Sequence, residues 1–115
     1  MAIKAQRQQQ EARPLLRCDA GGVVKLTLNR PQAQNSLSTG LMAALQAELD
    51  QIRMAADTRV VVIAATGDIF CAGHDLREIR ANPGREAYQA LFNQCATLMT
   101  SIVKLPHYSR TITTQ

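Results

Sequence analysis

A short turn at residues 70–76 contains the residue types and spacing best suited to chemistry. It has the sequence F-C-A-G-H-D-L and follows an apolar run at residues 59–65 that is rich in valine. Gly73 permits a sharp turn, and Asp75 is a candidate cap for a following helix. A turn after a buried strand leaves backbone N–H groups that can hydrogen-bond an anionic oxygen. The turn is therefore a candidate ligand site, although many junctions of this kind are plain connections.

A second stretch, at residues 28–37, lies upstream and has the sequence L-N-R-P-Q-A-Q-N-S-L. Its proline ends the preceding strand, because proline has no N–H to donate to a strand ladder. Together, N-R-P-x-A-x-N-S-L and F-C-A-G-H-D-L resemble the enoyl-CoA hydratase/isomerase (crotonase) family. The resemblance runs from about residue 15 to about residue 106. The G-H-D-L form of the turn is similar to one subgroup of that family.

The resemblance implies an α/β fold of the crotonase-like type, which is built from ββα-type repeats. Residues 14–106 would be the N-terminal part of such a domain, after a flexible tail at residues 1–13. The family continues into another buried strand and a glycine-rich loop. Because residues 107–115 are polar and rich in threonine, we expect a divergent tail there that does not continue the sheet, and we interpret it as a truncation or a change of reading frame.

The resemblance also implies a substrate, an acyl-CoA thioester. When water adds across the double bond of a 2-enoyl thioester, negative charge develops on the thioester oxygen. By resemblance, the backbone N–H of His74 is one donor of the oxyanion hole, and its imidazole is an alternative general acid. Coenzyme A enters as part of the substrate, so no separate cofactor is expected. The residues expected to hold it are Arg30, Ala33, Ala72, Gly73, Asp75 and Leu76, with Arg77 a further candidate for the phosphates.

Hydratases of this family use two glutamates, and their second oxyanion donor comes from the glycine-rich loop. None of Glu11, Glu48, Glu78 and Glu86 matches those positions, and Glu78 is expected on a solvated surface. We therefore expect an acyl-CoA enzyme for hydration of 2-enoyl-CoA in fatty acid metabolism that is inactive by itself. One alternative is a non-catalytic acyl-CoA-binding or pseudoenzyme subunit that joins oligomers of intact relatives. Another is an unstable product without function.

Hydrophobic periodicity predicts the elements that must position these residues. The second arm of the hairpin, the helix that follows it and the next strand form a βαβ unit, for which a right-handed crossover is expected. The predicted elements are a hairpin with arms at 15–18 and 23–28, a helix from a Ser38 cap to about 53, a buried strand at 59–65, a helical turn at 76–80 and a long helix from 86 to about 104.

Composition excludes several classes of function. The net charge is +4, but four basic residues against one acidic residue in the first seventeen already supply +3, and aromatic residues are 3% of the chain. A nucleic-acid surface is therefore not expected. Three cysteines without a C-x-x-C pair and two histidines disfavour metal sites and disulfides. No membrane association is expected. We expect a reducing setting, cytoplasmic or the mitochondrial matrix in a eukaryote, and by resemblance a homo-oligomer, a trimer or hexamer.

Overall fold

The computed structural model describes residues 13–106 and, for the backbone alone, residues 108–113. Of the tail predicted at 1–13, residues 1–12 lie outside the described part. In the described part, no helix is long and apolar enough to cross a membrane. The elements are β1 (Leu15–Ala20), β2 (Val23–Leu28), a 3-10 turn (Pro31–Ala33), α1 (Thr39–Arg53), β3 (Val60–Ala65), α2 (Leu76–Ala81), α3 (Arg85–Val103) and β4 (Tyr108–Thr113).

One four-stranded sheet in the order β1-β2-β3-β4 organises the chain. β1 and β2 form the predicted antiparallel hairpin, with Leu15 opposite Leu28. Its two-residue turn needs positive φ at both positions, and Gly21 and Gly22 supply it at +57° and +81°. β2 and β3 are parallel, with Leu28 opposite Ala65, so both strands end at the same edge of the sheet. The two motifs follow these two strand ends, which brings them together.

The parallel pair is connected by α1, and the prediction of this helix and its cap is confirmed. The Ser38 hydroxyl accepts a hydrogen bond from the N–H of Leu41 at 3.1 Å. Apolar residues at helical spacing then face the sheet, and each leucine fully removed from water contributes about 1.5–3 kcal/mol. The buried residues of α1 are Leu41, Met42, Leu45, Leu49 and Ile52, and they form one cluster with Val24, Leu26, Leu28, Val61 and Ala65.

The expectation that the sequence after Pro106 does not continue the sheet is wrong. β4 pairs in parallel with β3, from Val60 opposite Tyr108 to Ala65 opposite Thr113. A strand beside β3 needs backbone groups that complete its ladder, and it does not need apolar side chains. Threonine and isoleucine also favour extended backbone, so a threonine-rich segment is compatible with a strand. The polarity of this segment was weak evidence against pairing.

Candidate functional site

The turn at residues 70–76 is attached to the upstream motif by an isolated parallel bridge between Leu37 and His74. The N–H of Leu37 donates to the carbonyl of Gly73 at 2.7 Å, and the N–H of Asp75 donates to the carbonyl of Leu37 at 3.1 Å. Since successive peptide groups of extended backbone point to opposite sides, the N–H of His74 itself points away from Leu37. Among the described residues it has no hydrogen-bond partner. The bridge therefore presents one fixed, free backbone donor.

An ion pair between the two motifs supports this arrangement. Nη2 of Arg30 lies 3.1 Å from Oδ2 of Asp75, and Nη1 of Arg30 donates to the carbonyl of Ser36 at 2.7 Å. The other carboxylate oxygen of Asp75 accepts from the N–H groups of Arg77 and Glu78, so Asp75 is the N-cap of α2, as predicted. Burial raises the pKa of Asp75, but the hydrogen bonds from Arg30 and from the helix backbone outweigh it and hold that pKa below its usual value. The carboxylate is thus a structural anion.

Asn35 is the central structural residue of the site, and the sequence analysis assigned it no role. Its side chain is completely buried. Oδ1 accepts from the N–H of Arg30 at 2.6 Å, and Nδ2 donates to the carbonyls of Thr66 and Ile69 at 2.7 and 3.0 Å. Its φ of +54° follows +56° at Gln34. Asparagine is enriched at such positions, and an asparagine near a proline corner was the available signal.

The residues expected to hold coenzyme A lie around the bridge between Leu37 and His74 and the hydrogen bonds of Asn35. Ala33 ends the 3-10 turn and is half-buried, whereas the short stretch of Ala72 and Gly73 is exposed. The N–H of Ala72 donates to the carbonyl of Gln34 at 3.1 Å, which joins the turn to the corner that contains Ala33. Gly73 has a φ of +91°. Leu76 and Arg77 begin α2, and both side chains are exposed.

The ring of His74 lies against α3. It contacts the ring of Phe92 edge to face, with centroids 5.6 Å apart and planes inclined by 75°. Its Nδ1 is buried and has no hydrogen-bond partner, and it is the one buried side-chain nitrogen or oxygen in the described residues for which this holds. The sequence could not have located this contact, because it joins residues 18 positions apart on different elements.

Two of the glutamates are engaged in structural hydrogen bonds. Glu78 was expected on a solvated surface, but it is half-buried, and Oε1 accepts from the N–H of Thr39 at 2.7 Å. It thereby satisfies a donor of the first turn of α1, beside a cavity of about 350 Å³ between the three helices. Glu48 pairs with Arg17 of the hairpin at 2.7 Å. Neither carboxylate is therefore free to act as an acid or base beside the N–H of His74.

Comparison with known proteins identifies relatives of this chain. The sequence pattern of the family described as enoyl-CoA hydratase/isomerase matches residues 19–108. The enoyl-CoA hydratase domain-containing protein 3, mitochondrial, of Xenopus laevis is 36% identical over 85 residues, which cover 74% of this chain and 29% of that protein. The human protein of the same name is 30% identical over 102 residues, covering 89% of this chain and 34% of the relative.

Solved structures agree with the sequence relatives. An enoyl-CoA hydratase of Mycobacterium smegmatis superposes with a TM-score of 0.84 at 47% identity, over 86% of this chain and 39% of that one. The structure of the human enoyl-CoA hydratase domain-containing protein 3 superposes with a TM-score of 0.81 at 28% identity, with the same two coverages of 86% and 39%. The chain thus spans about a third of the length of these curated relatives.

Proposed function

Because this chain belongs to the enoyl-CoA hydratase/isomerase family, we propose that it binds an acyl-CoA thioester at residues 70–76. The observation that carries the proposal is the free N–H of His74, which the bridge to Leu37 holds in place. A donor that is already oriented stabilises charge on a thioester oxygen without reorganisation during the reaction. The ligand oxygen would therefore lie at this N–H, with the acyl group beside the His74 side chain.

The proposed reaction of the family member is hydration of a 2-enoyl-CoA. Water attacks the β-carbon, the electron pair of the double bond moves toward the thioester oxygen, and a proton is delivered to the α-carbon. The N–H of His74 would stabilise the enolate-like oxygen, and one such donor contributes about 2.7–4 kcal/mol in other enzymes. Activation of water also needs an acid–base group, and Glu48 and Glu78 are both engaged elsewhere. We therefore propose that the 115-residue chain by itself binds without turnover.

The same geometry distinguishes the two arginines that could contact the phosphates of coenzyme A. Arg30 is held by Asp75 and by the carbonyl of Ser36, so its main role is to position the turn. Arg77 is exposed at the start of α2, so its guanidinium is accessible to a phosphate. We favour Arg77 for the phosphates. Ala33, Ala72 and Gly73 would meet the ligand through their backbone.

The compartment, the metabolic role and the assembly that we propose are taken from the relatives. Two of them carry the word mitochondrial in their names, which supports the mitochondrial matrix if the source is eukaryotic. A role in fatty acid metabolism and assembly into a homo-oligomer are further parts of the proposal. A non-catalytic acyl-CoA-binding subunit is the second candidate, and the engagement of Glu48 and Glu78 favours it.

Titration of the isotopically labelled chain with coenzyme A, followed by chemical shifts, tests binding. We expect shifts around residues 72–77 and a weak affinity, a Kd on the order of a millimolar. Gly73→Val should abolish binding, because a β-branched residue is strained at a φ of +91° and obstructs approach to the backbone. Met54→Ala, at an exposed position, is the matched control. Shifts that are absent, or unchanged in Gly73→Val, would contradict the proposal, and rapid hydration of crotonyl-CoA would contradict the absence of turnover.

A further inference from the structure

The unpaired Nδ1 of His74 requires an explanation, because nearly all buried polar groups in proteins have a hydrogen-bond partner. The two carboxylates that follow it in the turn do not supply one. Asp75 is engaged by Arg30 and by the start of α2, and Glu78 is engaged by the N–H of Thr39. The imidazole is therefore held by packing against Phe92 while one of its nitrogens is unsatisfied.

The position of this ring relative to the free N–H suggests a partner. Both belong to His74, so a ligand oxygen on the N–H, about 3 Å from the backbone nitrogen, is within reach of the ring. The χ2 torsion of histidine is broad, so the ring can turn without leaving its χ1 rotamer. A neutral imidazole carries one N–H donor and one acceptor nitrogen. Rotation about χ2 would take Nδ1 out of its buried position and bring it toward the bound oxygen.

We propose that the imidazole of His74 turns when an acyl-CoA thioester binds and donates Nδ1–H to the same thioester oxygen that its backbone N–H holds. This inference rests on the function proposed above. One residue then supplies two donors, and the turn discriminates acyl thioesters from free coenzyme A, which lacks the thioester carbonyl oxygen. In the unliganded chain Phe92 holds the ring in place.

The test compares two ligands on the same variants. Butyryl-CoA, whose saturated acyl chain cannot be hydrated, and coenzyme A are titrated separately into the full chain. We expect the wild type to bind butyryl-CoA more tightly than coenzyme A. His74→Ala and His74→Gln should reduce that ratio about threefold to tenfold, the worth of one hydrogen bond. His74→Asn should retain it, because its amide nitrogen occupies the δ position, whereas that of glutamine occupies the ε position. Met54→Ala is the control for both ligands.

The outcomes separate the inference from the function on which it rests. If His74→Ala keeps the advantage of butyryl-CoA over coenzyme A, the inference is wrong and the binding function stands. If the wild type shows no such advantage although coenzyme A binds, the placement of the thioester oxygen at the N–H of His74 is wrong as well. If neither ligand binds, both are wrong. Should the variants fail to fold, the side-chain ¹⁵N resonance of Nδ1 in the wild type decides. It should shift with butyryl-CoA and not with coenzyme A, and an unchanged resonance overturns the inference.

Discussion

Two regions of this chain differ in how many apolar residues they bury. In the first, which we call the helix–sheet core, α1 buries five apolar residues against β2 and β3. In the second, the turn side formed by residues 70–75, α2 and α3, the 19-residue helix α3 buries only Leu91 and Leu98, and α2 buries none. The candidate site lies where the two regions meet. The N–H of His74 is oriented by the first region, and the side chains of His74 and Arg77 belong to the second.

The difference indicates how the site holds a backbone donor in a fixed orientation while a side chain of the same residue lies on a more exposed surface. The N–H of His74 is oriented by hydrogen bonds to Leu37, which directly precedes the cap of α1. The ring of the same residue contacts Phe92, whose side chain is 55% exposed. A donor fixed to a packed core is pre-organised, whereas a ring that packs against an exposed phenylalanine can change its orientation. Region-specific substitutions can test this contrast.

The largest difference in the free energy of unfolding is expected when a leucine is replaced by alanine in each of the two regions. Leu41→Ala removes a side chain that is 0% exposed from the helix–sheet core and should lower the free energy of unfolding by about 2–5 kcal/mol. Leu76→Ala on α2 removes a leucine that is 64% exposed and should change it by less than about 0.5 kcal/mol. Denaturant unfolding measures both. Equal losses would mean that the turn side is packed as fully as the core.

A smaller loss is expected at the junction between the regions. Asn35→Ala removes three hydrogen bonds and leaves the carbonyls of Thr66 and Ile69 without this donor. The expected loss is about 2–3 kcal/mol in the free energy of unfolding. Because the same bonds support the turn, the coenzyme A titration should weaken as well. Asn35→Asp keeps the shape but loses both donors, so it should resemble Asn35→Ala. Unchanged stability in both variants would show that the junction is not needed.

A smaller loss than at Asn35 is expected at Asp75, on the turn side of the junction. Asp75→Asn weakens the pair with Arg30 and the cap of α2, with a loss of about 1 kcal/mol. Because the pKa of Asp75 is lower in the folded state, its contribution is complete above the unfolded value near 3.9 and is lost as the pH falls through the folded value. Thermal melts of wild type and variant should therefore converge as the solution is acidified below about pH 4. A constant gap across that range would contradict the assignment.

Sequence reasoning located local features well and missed those made by distant contacts. Ser38 and Asp75 were predicted as caps, and both are confirmed, because a cap depends on neighbours within three residues. The engagement of Glu78 by Thr39 was missed, since it joins two helix starts 39 residues apart. β4 was missed because its partner is the backbone of β3, and side-chain polarity carries little information about backbone pairing.

The sequence by itself determined the order of the elements up to α3, the helix caps, the hairpin and the family, because these depend on periodicity, on local hydrogen bonds and on two motifs. Only the tertiary structure decided which polar groups are free. Arg30 and Asp75 form an ion pair with each other, and the side chain of Asn35 makes hydrogen bonds to three backbone groups. The N–H and Nδ1 of His74 have no such partner among the described residues. Whether a donor is occupied depends on what the fold places within about 3 Å of it, and a one-dimensional pattern does not contain that distance.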